Sequence, residues 1–249
     1  MDRALYIAMS GAKQNTLGVA AAANNLANVS TTGFRQDFEQ ARSMPVFGDF
    51  YPTRSYAMEE RPASDFNPGT LVETGRDLDL SIDNQGWFAV QDDQGEEAYT
   101  RRGDLHVDAL GRLINGEGKQ MLGNGGPIVL PPFEKIEIAK DGTISIRASG
   151  DEPAVVADVG RLKLVSPDLT QMEKGTDGLF HMRGQQAGDI QPLDAAVQVV
   201  GGHLEHSNVN SVQALTNMLA LQRQYEMQVK MMKTVDENAQ TTSSILDIQ

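Results

Sequence analysis

Acidic residues in pairs are the first candidates for chemistry in this 249-residue chain: Asp92 with Asp93, Glu96 with Glu97, and Asp151 with Glu152. Two carboxylates held roughly 5–10 Å apart across a cleft can split a glycosidic bond. Each pair here sits beside turn-forming residues, and with 34 acids in the chain adjacency is commonplace, so the pairs read as solvated turns. Asp77, Asp79 and Ser81 have the first spacings of a calcium loop, but Ile82 stands where Gly is needed and Phe88 where a closing Glu is needed. That run reads instead as the solvated face of a strand. His203-Leu204-Glu205-His206 lacks the helical order of zinc-binding histidines, and His106 and His181 stand alone. Gly111-Arg112-Leu113-Ile114-Asn115-Gly116 opens like a phosphate loop, with Glu117 where Lys is required. Gly123 to Gly126 reads as a turn. There is no cysteine and no G-x-S-x-G elbow. The chain is therefore expected to be no enzyme, with no catalytic residue, metal or cofactor.

What is left is a chain built to position surfaces. The net charge of −13 argues against a nucleic-acid partner, because a phosphate backbone calls for a basic surface. Residues 1–75 carry −2, residues 76–200 carry −9 and the last 49 carry −2. The middle is the solvated part, and the sparsely charged ends have something else to face. No run of 18 apolar residues exists, so neither a membrane span nor direct membrane insertion is expected. Val19 to Ala23 could pass for part of a leader, but Lys13, Gln14 and Asn15 interrupt it and Asp2 occupies the basic region; a cleaved leader is not expected.

Asp2 to Asn28 reads as helix, rich in Ala, Leu and Gln and free of Pro. Leu5, Ala12, Val19 and Leu26 recur every seven residues, with Ala8, Asn15, Ala22 and Val29 between them. This is a narrow heptad seam of small residues, along which another helix can approach closely. Asp2 suits the helix dipole, and Asn28-Val29-Ser30-Thr31-Thr32-Gly33 stops the helix. From Arg35 to Gly75 the period dissolves among Pro45, Pro52, Pro62 and Pro68, giving an extended connector with a short helix at its start. Beyond it Asp77 to Asp83 alternates strictly, and short strands recur between turn signals; Asp141-Gly142 between Ile136-Glu137-Ile138 and Thr143-Ile144-Ser145-Ile146 marks a hairpin. From Ser211 to Leu246 the chain is helix again, with Asn210 as N-cap and Val209 stapling to Ala214. Its seam runs Val212, Leu215, Leu219, Gln222, Tyr225, Val229, Met232, Val235, Ala239 in steps of three and four. A helix this long needs a partner; the N-terminal helix is the first candidate, neighbouring copies the second.

Asn24-Asn25-Leu26-Ala27-Asn28-Val29-Ser30-Thr31-Thr32-Gly33-Phe34-Arg35 resembles the N-terminal signature of bacterial flagellar rod and hook proteins. Ser207-Asn208-Val209-Asn210-Ser211-Val212, with Met218-Leu219 and Gln222-Arg223-Gln224-Tyr225-Glu226, resembles their C-terminal signature. Gly69 to Leu80 and Tyr99-Thr100-Arg101-Arg102-Gly103 are similar to the rod members, and the opening Met1 to Ala12 looks most like the proximal rod type. The resemblance implies an α+β fold, with long N- and C-terminal helices pairing as a coiled-coil-like inner domain and a central mainly-β domain. The divisions expected are 1–35 with 205–249 as the helical assembly domain, 36–75 as connector and 76–204 as the β-rich domain.

The function implied is that of a structural subunit of the basal-body rod, polymerised with itself and with other proximal and distal rod proteins into a drive shaft crossing the periplasm. Export is by the flagellar type III apparatus, and no small-molecule substrate is expected. A distal rod subunit and a cell-wall hydrolase on helical arms stand as alternatives. The assembly interface is expected at Leu5, Ala8, Ala12, Asn15, Val19, Ala22, Asn24, Asn25, Leu26, Asn28, Gly33 and Phe34, and at Asn208, Asn210, Val212, Leu215, Leu219, Gln222, Tyr225, Val229 and Met232. Before assembly the ends are expected to be largely disordered, because fixing a residue costs about 1–2 kcal/mol and an isolated Ala/Met seam returns too little.

Overall fold

The computed structural model describes residues 3–39, 41–47, 51, 55–59, 63–83, 85–148, 157–184 and 189–246. Asp2, Pro52, Pro62, Asp151 and Glu152 lie outside the described residues. Helix α1 spans Arg3–Ala27, helix α2 spans Ser211–Leu246, and the chain between them is made of strands, an α+β architecture as expected. The chain forms two compact units, one of residues 1–29, 36–65 and 209–249, the other of residues 30–35 and 66–208.

In the helical unit, both helix ends are set by local chemistry. Asn28 Nδ2 donates to the Asn24 carbonyl at 2.9 Å where α1 stops. Asn210 Oδ1 accepts the N–H groups of Val212 at 3.0 Å and Gln213 at 3.1 Å, satisfying two of the orphan donors with which α2 opens. Val209 and Ala214, on either side of this cap, are both buried. The segment after α1 departs from the expected connector with a short helix. Among the described residues of 36–65 there is no helix, and two antiparallel ladders take its place. Asp37–Phe38 pairs with Ala63–Ser64, and Ala41–Pro45 pairs with Ser55–Glu59, a hairpin that lies against α1. The cause is visible at Asn25. Its Nδ2 donates to the Asp37 carbonyl at 2.7 Å and its Oδ1 accepts the Asp37 N–H at 2.8 Å. A side-chain amide thus imitates a strand neighbour and pins the chain extended beside the helix.

In the β unit, the main sheet is antiparallel. Its order is Met172–Lys174, Phe180–Met182, Glu97–Thr100, Trp87–Gln91, Gln120–Gly123, Leu113–Asn115, Leu105–Val107. The expected hairpin pairs Phe133–Ile138 with Thr143–Ala148, and Gly142 takes φ of +85° in its turn, a conformation open to glycine. The strand Trp87–Gln91 is buried on both faces: Phe88 and Val90 belong to a large aliphatic cluster with Leu80, Leu105 and Leu113, while Trp87 and Ala89 pack with Tyr99, Val165 and Phe180.

The run Asp77 to Asp83 differs from its reading as a solvated face. Its strand is Leu80–Ile82, and Asp79 and Ser81 are only 1% and 0% exposed. Burial is tolerated at Asp79 because Arg76, three residues back, places Nη2 3.0 Å from its Oδ1.

Candidate assembly interface

α1 meets α2 through its smallest residues. A Cβ added at Gly11 would lie 3.0 Å from Gln228 Nε2, and one at Gly18 would lie 3.1 Å from Leu221 Cδ1. Seven residues forward in α1 are therefore seven back in α2, and the helices run antiparallel. Ala8, Ala12, Ala22 and Asn25 are buried on α1; Leu5, Asn15, Val19 and Leu26 are half-buried. On α2 the covered positions are Ala214, Met218, Leu221, Gln228, Met232 and Val235. Small residues at these contacts let the two backbones close up without displacing longer side chains.

The seam expected on α2 thus needs correction as a face toward α1. Met232 and Val235 lie on that face, but Val212, Leu215 and Leu219 sit one residue, or about 100°, around the helix. They are 72%, 47% and 49% exposed. Gln222, Tyr225 and Val229 are exposed with them. Apolarity alone points to the Val212–Leu215–Leu219 line as the stronger stripe. The glycines of α1 decide otherwise, because only the Ala214–Leu221 line fits so short an approach.

The remaining expected residues divide by position. Asn28 and Asn210 act as stop and cap, and Asn24 Nδ2 donates to Asp37 Oδ2 at 3.1 Å. A cavity of about 440 Å³ lies between α1, α2 and the strand after α1, lined by Gln14, Gly18, Asn25, Asp37, Asn217 and Leu221 among others.

Gly33, Phe34 and Asn208 belong to the β unit, where they surround a group that the sequence reading did not assign. Arg35 and Glu205 are buried, with Arg35 Nη2 2.6 Å from Glu205 Oε1. Arg101, also buried, has Nε 3.3 Å from Glu205 Oε2. Both guanidinium carbons lie 5.9 Å from the Trp87 ring centre. Glu205 also draws in the backbone: its Oε1 accepts the Gly69 N–H at 2.9 Å, and its carbonyl accepts the Gly33 N–H at 2.7 Å. Burial pulls the Arg101 guanidinium down to about 10, Glu205 opposes that shift, and the Arg35 charge adds to it. Phe34 stacks beneath Lys174 Nζ at 3.8 Å, and the same ammonium donates to the Arg35 carbonyl at 3.1 Å. Asn208 donates from its backbone to the Phe34 carbonyl at 3.4 Å and from Nδ2 to the Asn67 carbonyl at 3.0 Å. Sequence spacing does not link Arg35, which ends the N-terminal signature, with Glu205, which lies two residues before the C-terminal one.

Among the described acidic pairs, Asp92, Asp93 and Glu97 are engaged in structural contacts. Asp92 Oδ1 accepts the Gln94 and Glu96 N–H groups, both at 2.8 Å, and Asp93 pairs with Lys119 at 2.6 Å. Glu97 is buried with Lys163 at 2.6 Å and accepts the Tyr99 hydroxyl at 3.0 Å. Burial, then the neighbouring Glu97 charge, pushes the Tyr99 phenol well above its ordinary range. Among the described residues no three of His, Asp and Glu are grouped to hold a metal ion.

Three stretches match family patterns. Residues 5–35 match the family described as flagella basal body rod protein, residues 81–146 the flagellar hook protein FlgE/F/G D1 domain, and residues 200–245 the flagellar basal body rod FlgEFG protein C-terminal family. Over its full length the chain is 41% identical to the whole of the flagellar basal-body rod protein FlgF of Escherichia coli and 40% identical to the whole of that of Salmonella typhimurium. To the rod protein FlgG of Bacillus subtilis it is 30% identical, over 95% of this chain and 96% of the other. Matching signatures at both ends, in order and joined by a matching β unit, make the chain a member of the flagellar basal-body rod protein family, of the FlgF type.

Proposed function

We propose that the chain is a structural subunit of the basal-body rod and acts by packing, making and breaking no covalent bond. The observation that carries this reading is the apolar line Val212, Leu215, Leu219, which stays exposed on a helix whose neighbouring face is already covered by α1. An exposed stripe beside an occupied one gives each helix pair a second face for a neighbour. Contacts between copies are head-to-tail, since only heterologous contacts extend into a helix. Residues 1–29, 36–65 and 209–249 form the assembly unit, and residues 30–35 and 66–208 the β-rich unit. Close-packed helices supply the stiffness that torque transmission needs.

The assembly spans the periplasm and includes proximal and distal rod proteins as neighbours. The similarity to FlgF relatives, stronger than that to FlgG of Bacillus subtilis, favours the proximal position. Export by the flagellar type III apparatus, with α1 retained, fits a helix that α2 requires as its packing partner. A clean deletion followed by electron microscopy of basal bodies tests the reading. Structures ending at the inner-membrane ring, without hooks, are expected. Rods that start but stop short would move the subunit to the distal segment, and intact flagella would overturn the proposal.

A further inference from the structure

The Arg35–Arg101–Glu205 group joins two buried cations to a buried anion, with Arg35 near the start of the chain, Arg101 in its middle and Glu205 near its end. The Nε and Nη1 atoms of Arg35 are buried without a hydrogen-bond acceptor among the described residues. Glu205 is therefore the counter-charge on which the Arg35 guanidinium depends, and it pairs with Arg101 as well. It also fixes the backbone of Gly33 and of Gly69. The segments tied together, 30–35, 66–70 and 203–208, are the ones through which the chain passes from one compact unit to the other, at 29/30, 35/36, 65/66 and 208/209.

We propose that Glu205 is a completion clasp: the N-terminal signature residues Gly33, Phe34 and Arg35 close onto the β unit only when the C-terminal strand His203–Glu205 has brought in its carboxylate. Without Glu205, closure would bury two like charges against one indole ring. The Arg35 guanidinium without its anion, beside a second buried cation, cannot be desolvated cheaply, and removing one partner of a buried pair costs far more than the pair contributes. With Glu205 present, one residue secures all the chain passages at once. The clasp stands on geometry alone. A consequence for export rests on the rod reading: a chain leaving N-terminus first keeps its signature open until residue 205 has emerged.

The test uses the full-length purified chain and hydrogen exchange, with the single tryptophan, Trp87, as an optical reporter of the guanidinium groups above it. Glu205→Gln is expected to speed exchange in segments 30–35 and 66–70 on the order of 100-fold, to shift Trp87 emission, and to leave the hairpin 133–148 protected. A triple variant, Arg35→Met, Arg101→Met and Glu205→Met, removes the charges and keeps comparable bulk; it is expected to restore protection in both segments. Unchanged protection in Glu205→Gln would overturn the clasp. So would loss of protection in both variants, because shape rather than charge would then be responsible. Should Glu205→Gln unfold the hairpin as well, the triple variant decides: recovery of the fold supports the clasp and failure to recover sinks it. None of these readouts depends on rod assembly, so they fail or succeed apart from the rod reading.

Discussion

Leu219→Asp separates an assembly face from an internal one. Leu219 is 49% exposed and Leu215 47%, so about half of each side chain remains to be covered by a neighbour. Full burial of a leucine contributes roughly 1.5–3 kcal/mol, so each contributes about 0.7–1.5 kcal/mol to the contact. With Val212, 72% exposed, the line supplies on the order of 2.5–5 kcal/mol per copy. An aspartate at position 219 forfeits Leu219's share and places a carboxylate where water is excluded, which costs several kcal/mol more unless it is paired. In the isolated chain the same substitution falls on an exposed helix position, where changes stay within about ±0.5 kcal/mol. The expectation is a protein made and folded at normal levels, with an unchanged thermal transition of the β unit, in cells that have no rods in extracted basal bodies and form no swimming halo. Gln213→Asp, exposed on another side of α2, is the control and should leave swimming intact. A motile Leu219→Asp strain with rods of normal length would refute the reasoning, and so would equal damage from the Gln213 control.

Further outcomes follow from the same geometry. Gly33→Ala and Gly75→Ala both face a positive φ, +68° and +71°, but a Cβ at Gly33 would meet the Arg101–Arg102 backbone at 2.5 Å while one at Gly75 meets nothing within 4 Å. In urea titrations Gly75→Ala should cost about 1 kcal/mol and Gly33→Ala about 2–5 kcal/mol; equal losses would show that the close approach does not matter. Glu97→Ala strands the buried Lys163 ammonium and should lower the unfolding free energy by about 3–5 kcal/mol, whereas replacing both residues by apolar ones should cost less. At Asp141, hydrogen bonds from the Thr143 hydroxyl and then its N–H hold the carboxyl below its ordinary value of 3.8. A carboxyl depressed on folding contributes stability above 3.8 that is lost as pH falls through the folded value, so Asp141→Asn should flatten the acid limb of the stability curve. An NMR titration of Asp141 at or above 3.8 would contradict this. Limited proteolysis of dilute monomer should trim the ends and leave a fragment near residues 66–208; resistant ends would contradict folding coupled to assembly.

What could be read from the sequence was what local chemistry decides. The helix limits, Arg3–Ala27 and Ser211–Leu246 against an expected 2–28 and 211–246, follow from caps such as Asn210, whose bonds span two and three residues. The turn at Asp141-Gly142 is equally local. The face of α2 was misjudged because it depends on which residues of a distant helix are glycine. The ladders of 36–65 were missed because Ala41–Pro45 is mostly exposed and shows no alternation, and because Asn25 supplies the pairing from a helix. Asp79 looked solvated until Arg76 was seen beside it. The Glu205 group was out of reach for a different reason. One of its bonds joins residues 136 positions apart, and no period or spacing carries that distance.

The hairpin Ala41–Pro45 with Ser55–Glu59 forms a sheet of two strands, so each strand keeps one backbone edge without a ladder partner among the described residues. Met44, Val46 and Phe47 are exposed along and just beyond one of them, and Tyr51 follows at 92% exposure. A short apolar strand with a free edge is a template for adding another strand, in the wrong place as readily as the right one. Two gatekeepers stand on it. Arg42 puts a charge in the strand, and Pro45 removes a backbone donor at its end. Replacing both by β-formers such as valine would leave this ribbon the first place from which the concentrated protein aggregates.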